Sequence, residues 1–170
     1  MPALPAVPAL AAVLALLGGA GLTGCAALQG EGGGGPGVRY SQDYERHEPL
    51  RVEGYPSAGS LRVVQEVVWR IGDGEAGALA ALGSSDSSEG ERERAAKRWV
   101  AQYRGGAAGP VTAAFCETGP AGGRQVVALR FAATGQTKVL HVRLDGPGGE
   151  SGWRVRLPAQ DTAEPPPSCP

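Results

Sequence analysis

Apolar residues recur at helical spacing in the segment that follows Ser60. They lie at three- and four-residue steps, at Leu61, Val64, Val68 and Ile71. This spacing predicts an amphipathic helix over residues 61–71, with Ser60 as its N-cap. Gly72 and Gly74 are predicted to end it, because glycine disfavours the helix interior.

Two more helices are predicted before residue 105. Asp73 is expected to cap a short helix over residues 75–82. Ser88 and Glu91 have the spacing of a capping box, which predicts the start of a third helix over residues 91–104. Two glycines are expected to end this helix: Gly105 and Gly106.

After Pro110 the period of the pattern changes to two. Apolar and polar residues alternate in segments 111–117, 125–133, 137–145 and 153–157, with turn-forming residues between them. Such alternation, with charge on one side, predicts antiparallel strands that have one buried and one solvated face.

The order of these elements predicts an α+β fold, with about three amino-terminal helices packed on a four-stranded antiparallel meander. Together with the closing segment WRVRLP, this order resembles the cone-shaped fold shared by nuclear transport factor two, ketosteroid isomerase and the polyketide cyclases. A cystatin-like helix-on-sheet domain is the alternative. The cone resemblance implies an apolar pocket between helices and sheet.

The amino terminus has the pattern of an exported protein. Residues 1–30 carry no charged side chain, and residues 9–17 form an apolar run that is shorter than the roughly 20 residues of a membrane-spanning helix. The run is followed by Leu22, Thr23, Gly24 and Cys25. This motif resembles the lipobox of bacterial lipoproteins, which implies signal-peptidase cleavage before Cys25 and a diacylglycerol anchor on its sulfur, with palmitate among the acyl chains.

The resemblance and the composition together divide the chain into four parts. These are a lipoprotein signal peptide over residues 1–24, a lipidated, Gly-rich and flexible tether over 25–59, a globular domain over 60–158, and a Pro-rich tail over 159–170. As a coil, the tether would span roughly 30–35 Å. The predicted location is the extracytoplasmic face of a cell membrane.

Charge excludes one class of partner. The chain has 16 basic and 17 acidic residues, and its isoelectric point is about 6.1. It therefore lacks the basic surplus of a nucleic-acid binder. The expected partners are the lipid bilayer, through Cys25, and a protein or other component of the envelope.

Five aromatic residues are candidates to line a cone pocket: Trp69, Trp99, Tyr103, Phe115 and Trp153. The alternative is that they fill an ordinary core, as large aromatics at regular spacing commonly do.

Ketosteroid isomerases use an aspartate as base and a tyrosine as hydrogen-bond donor. The chain offers the same residue types at Asp73, Tyr103 and Asp145, but without the family's motif, so we assign no catalytic residue. The sequence also predicts no metal site and no cofactor, because His, Cys and carboxylates lack ligand spacing.

Alternation places five basic side chains on one sheet face: Arg130, His141, Arg143, Arg154 and Arg156. Three interpretations are open for this face. It is a solvated surface, a binding surface for an anionic partner or phospholipid, or the contact of a homodimer, as in many cone-fold relatives.

Two cysteines remain besides Cys25. A disulfide between Cys116 and Cys169 would close a loop of about 50 residues and contribute about 4 kcal/mol by chain entropy. The alternative is a buried Cys116 thiol and a frayed Cys169.

The sequence as a whole favours a membrane-anchored lipoprotein with a small non-catalytic binding or accessory domain over a small-ligand binder or enzyme that uses a cone-fold pocket.

Overall fold

The structure, a computed structural model, describes residues 42–116 and 123–160, and this part of the chain is α+β as predicted. Within it, a helical segment over residues 42–46 precedes three further helices: α1 (Ala58–Asp73), α2 (Ala76–Ala81) and α3 (Glu89–Ala107). The same residues form five strands: β1 (Arg51–Glu53), β2 (Val111–Cys116), β3 (Arg124–Phe131), β4 (Thr137–Leu144) and β5 (Trp153–Val155). A 3-10 turn, Gly149–Gly152, leads into β5.

No helix among the described residues is long and apolar enough to cross a membrane.

Helix α1 has the predicted amphipathic face but different ends. Its N-cap is Ser57, whose side-chain oxygen accepts a hydrogen bond from the backbone N–H of Ser60, so the predicted cap Ser60 lies inside the first turn. The helix runs through Gly72 and ends at Gly74, which adopts a left-handed conformation with φ of 82°. Glycine tolerates this conformation because it has no Cβ.

The prediction that Asp73 caps the second helix is wrong. Asp73 is the last residue of α1, and its carboxylate faces His47 instead. The N-cap of α2 is Glu75, which makes no side-chain capping bond.

Helix α3 begins with the predicted capping box of Ser88 and Glu91. Hydrogen bonds from the Ser88 hydroxyl and backbone N–H lower the pKa of the Glu91 carboxyl. The helix does not stop at Arg104 but continues through Gly105 and Gly106 to Ala107. Gly106 faces β3, where a Cβ would lie 2.7 Å from the Phe131 Cβ, so close helix–sheet packing selects glycine there.

The sheet has the order β1-β2-β3-β4-β5. Strands β2 to β5 form the predicted antiparallel meander, whereas β1 pairs with β2 in parallel, so the sheet is mixed and five-stranded. Strand β1 was missed because its three residues are all exposed and show no apolar alternation.

The predicted start of the domain at Ser60 is too late, because residues before it also pack on the helices and the sheet. Asp43 is buried and forms an ion pair with Arg70 of α1, and β1 joins the sheet. Residues 42–59 therefore contact the domain rather than extending away as tether. The remainder of the predicted tether and the tail from residue 161 lie outside the described residues, as do the leader and its lipobox.

The helices cover one face of the sheet. Their apolar residues and those of the sheet form a single buried cluster that includes Val64, Trp99, Leu129, Phe131 and Leu140. Residues of opposite parity on β2, β3 and β4 face away from the helices, as the pleat requires.

We expect opposite effects from one substitution at two adjacent positions of α3. Gly105→Ala should stabilise the protein by about 0.5–1 kcal/mol, because nothing lies within 4 Å of the new Cβ and alanine favours the helix. Gly106→Ala should destabilise it by about 1–3 kcal/mol through overpacking against Phe131. Urea-induced unfolding measures both. Equal shifts at the two positions would contradict the packing of α3 on β3.

Candidate functional site

The five aromatic residues predicted for a cone pocket are all buried: Trp69, Trp99, Tyr103, Phe115 and Trp153. Four of them belong to the core cluster, whereas Trp69 lies outside it and stacks on His47. The Tyr103 ring stacks on Phe131 with centroids 5.4 Å apart, and the Lys138 ammonium lies 4.5 Å from the centre of the Trp99 ring. Side chains thus fill the space between α3 and the sheet, which favours the core interpretation of these aromatics.

The register of the sheet aligns basic residues on the face opposite the helices. Arg143 of β4 lies between Arg124 of β3 and Arg154 of β5, and Arg156 follows on the same side, with its backbone N–H donating to the His141 carbonyl. These five residues, Arg124, His141, Arg143, Arg154 and Arg156, are called the cationic face below. Arg124 was not among the predicted residues, because it stands at the very start of its strand.

Arg130 shares this side of the sheet but not the cluster. It pairs with Thr137 at the other end of β3, six residues from Arg124, which corresponds to about 20 Å along the strand. Its guanidinium instead donates to the Glu53 carboxylate of β1 at 3.0 Å. The sequence could not give this distance, because alternation assigns a face but not a position on it.

Loop carboxylates fix part of the cationic face. Arg143 donates from Nη1 to both carboxylate oxygens of Asp86, at 2.6 and 2.5 Å. Asp145 accepts hydrogen bonds from the Ser85 backbone N–H at 2.7 Å and the Ser85 hydroxyl at 2.9 Å. These bonds, with the Arg143 and Arg154 charges, lower the pKa of Asp145. Asp145 therefore orders the 85–86 loop and is not placed to act as a base.

A depression of about 580 Å³ opens on the cationic face. Its charged lining consists of Arg124, Arg143, Arg156 and Asp86, together with His141. Three guanidinium groups and one carboxylate give a local charge of +2 without His141. Arg124 and Arg156 are exposed, and neither has a salt bridge to another residue of the described part. This arrangement can hold an anionic group, because guanidinium N–H groups pair well with carboxylates and phosphates.

A second charged cluster joins the amino-terminal segment to α1. It consists of Asp43, His47, Arg70, Asp73 and Glu75, called the amino-terminal clamp below. Arg70 is buried and pairs with Asp43, and its Nη1 also reaches Glu75 at 3.3 Å and Asp73 at 3.6 Å. The His47 ring stacks on the Trp69 indole with centroids 5.2 Å apart.

Both ring nitrogens of His47 meet acceptors. Nδ1 lies 2.8 Å from the Asp43 carbonyl oxygen and Nε2 lies 3.0 Å from an Asp73 carboxylate oxygen. Both nitrogens must carry protons to donate to these oxygens, so the geometry selects the imidazolium. Burial lowers the pKa of His47, but the hydrogen bonds to Asp73 and Asp43 and the charges of both carboxylates outweigh it and raise the pKa above 6.5.

The clamp does not have the arrangement of a catalytic dyad. A general base needs a ring nitrogen free to accept a proton from substrate, and neither nitrogen of His47 is available. The described residues contain no group of three or more His, Cys, Asp or Glu side chains that could hold a metal ion. His47 was predicted to lie in the tether, and no local pattern signals its contact with Asp73, 26 residues away in the chain.

Cys116, at the end of β2, is disulfide-bonded. The predicted partner Cys169 lies outside the described residues, so this pairing stays a prediction. Cys25 and its flanking residues Leu22, Thr23 and Gly24 also lie outside them.

Comparisons of the chain with protein-family models, with curated proteins and with solved structures found no match. The chemistry of the cationic face and of the amino-terminal clamp is therefore what bears on function.

The clamp generates a pH-dependent contribution to stability. Because the folded pKa of His47 is raised, its contribution is complete below the unfolded pKa near 6.5 and is lost as the pH rises through the folded value. We expect His47→Asn to reduce the free energy of unfolding more at about pH 5.5 than at about pH 8.5.

Urea unfolding of both proteins at the two pH values measures this difference. Asp73→Asn, which removes the carboxylate but keeps the side-chain shape, should flatten the same dependence. An effect of His47→Asn that is equal at both pH values would show that the imidazolium is not the bound form.

Proposed function

We propose that this protein is a bacterial lipoprotein, anchored through Cys25 on the extracytoplasmic face of the cell membrane, whose domain is a non-catalytic binding module. The cationic face is its binding surface, and an anionic component of the envelope is its partner. The observation that carries the binding proposal is the alignment of Arg124, Arg143 and Arg154 on three neighbouring strands.

The rigid surroundings of the cationic face support a binding role. The rigid sheet holds the guanidinium groups, and Asp86 and Asp145 order the loop beside them. An anionic partner would meet prepositioned donors and would not have to order them, which reduces the entropy lost on binding. The filled core favours this module over the alternative, a small-ligand binder or enzyme with a pocket between helices and sheet.

The finer description of the fold is also a proposal. The order of helices before the meander β2–β5 supports a cone-like or cystatin-like domain, and the parallel strand β1 adds to either description.

The anchor has a direct test. Cys25→Ala should abolish incorporation of radioactive palmitate and shift the protein from the membrane fraction to the soluble fraction, because no acceptor sulfur remains at the lipobox. Cys169→Ala, the matched control, should keep both the label and the membrane location. Undiminished labelling of the Cys25→Ala protein would disprove the lipobox assignment.

The cationic face has a separate test, with poly-L-glutamate as an anionic probe. The double variant Arg124→Ser/Arg156→Ser should weaken binding about five- to tenfold, since each exposed ion pair contributes up to about 1 kcal/mol. The control Arg94→Ser/Lys97→Ser removes the same charge from the exposed side of α3 and should bind like the wild type.

Fluorescence anisotropy of labelled probe measures these affinities, and added salt should weaken wild-type binding. Equal losses in the two double variants would mean that the probe responds to total charge, and the cationic face would not be the binding surface.

A further inference from the structure

We infer that the carboxyl-terminal tail, residues 161–170, docks across the open face of the sheet through a Cys116–Cys169 disulfide and lies against the cationic face. The domain thus carries its own anionic occupant for the surface that binds external partners.

The position of Cys116 shows on which side of the sheet its disulfide lies. In the register of β2, Cys116 and Ala114 alternate with Ala113 and Phe115, whose side chains belong to the core under the helices. Cys116 therefore lies on the opposite side, together with the cationic face. Its disulfide must bring another part of the chain onto that side of the sheet.

The identity of the second sulfur follows by elimination. The chain has three cysteines, and the two candidates are Cys25 and Cys169. If Cys25 is the lipid-bearing residue, its sulfur is a thioether and cannot form a disulfide. This step rests on the proposed function and leaves Cys169.

The tail is long enough for this path. The nine residues 161–169 connect the last described residue to Cys169, and in the extended conformation that its three prolines favour they span about 28 Å. The distance from β5 to β2 is three strand spacings, or about 14 Å.

The pairing register defines a row of residues along this path. Arg156 lies beside His141, His141 opposite Val126, and Val126 opposite Cys116. A tail that leaves after β5 and ends at Cys116 would follow this row. The prolines donate no backbone hydrogen bond, so such a tail would cover the face without adding a strand.

Charge and burial agree with the path. The tail contains Asp161 and Glu164 and no basic residue, whereas the charged lining of the depression on the cationic face sums to +2. At the centre of the same side of the sheet, Ala114 and Ala128 are only 2% and 1% exposed, although the helices pack on the other side. In the proposed path, the tail lies over these two residues.

The experiment begins with peptide mapping of the full chain, purified from membranes without reductant. A cross-linked pair of peptides containing Cys116 and Cys169 is expected. A free Cys169 with an acylated Cys25 would overturn the tail proposal and leave the anchor intact. A Cys25–Cys116 disulfide would overturn both.

Docking of the tail is then measured by acylation of the two histidines with diethyl pyrocarbonate. Cys169→Ser should raise the rate at His141 several-fold, because it releases the tail from the face. The rate at His47, held in the amino-terminal clamp, should not change. The control Ser168→Ala keeps the disulfide and should behave like the wild type.

Loss of the disulfide could unfold the domain, in which case the acylation rates at His141 and His47 would both rise. A second variant distinguishes this outcome from release of the tail. Asp161→Asn/Glu164→Gln keeps the disulfide, removes the charges and should still raise the rate at His141 alone. The docking would be overturned by two results together. The first is an unchanged rate at His141 in Asp161→Asn/Glu164→Gln. The second is a rate at His141 in Cys169→Ser that is either unchanged or raised to the same extent as the rate at His47.

Discussion

The sheet has two faces, and the helices bury only one of them. Helices α1 and α3 need an apolar surface, and they obtain it from alternate residues of β2 to β5, with Trp99 and Phe131 at the contact. The pleat then directs the intervening residues to the opposite side, where they include most of the sheet's guanidinium groups. The location of the core therefore determines where the domain can present charge.

This division separates the buried core from the charged surface of the sheet. The interior between helices and sheet is filled by aromatic rings and a buried lysine, which leaves little freedom for an internal ligand. The cationic face lies on the same strands, and its charges can change without loss of core contacts. The amino-terminal clamp is a third region, and it attaches the segment that precedes β1 to helix α1.

Local sequence pattern predicted the elements whose signals are themselves local. The α1 periodicity, the Ser88–Glu91 capping box and the alternation of β3 and β4 each depend on residues a few positions apart, and all of them appear in the structure. The prediction that Gly106 ends a helix was wrong, because the advantage of glycine there lies in packing on Phe131.

Features that depend on distant residues were not predicted. Strand β1 has no pattern of its own and exists only because β2 offers an edge, and the pairing of Asp43 with Arg70 joins residues 27 apart. For the candidate site, alternation identified the correct side of the sheet for Arg143, Arg154 and Arg156. It could not show that Arg130 is about 20 Å away or that Arg124 belongs to the cluster.

The central claim is that the domain binds through the open side of its sheet and not through its interior. Nuclear magnetic resonance of isotope-labelled protein, titrated with poly-L-glutamate, tests this most directly. We predict that the arginine side-chain signals of Arg124 and Arg156 shift while the indole signal of Trp99 stays in place. Shifts concentrated at Trp99, Tyr103 and Phe115, with the arginine signals unmoved, would contradict the account.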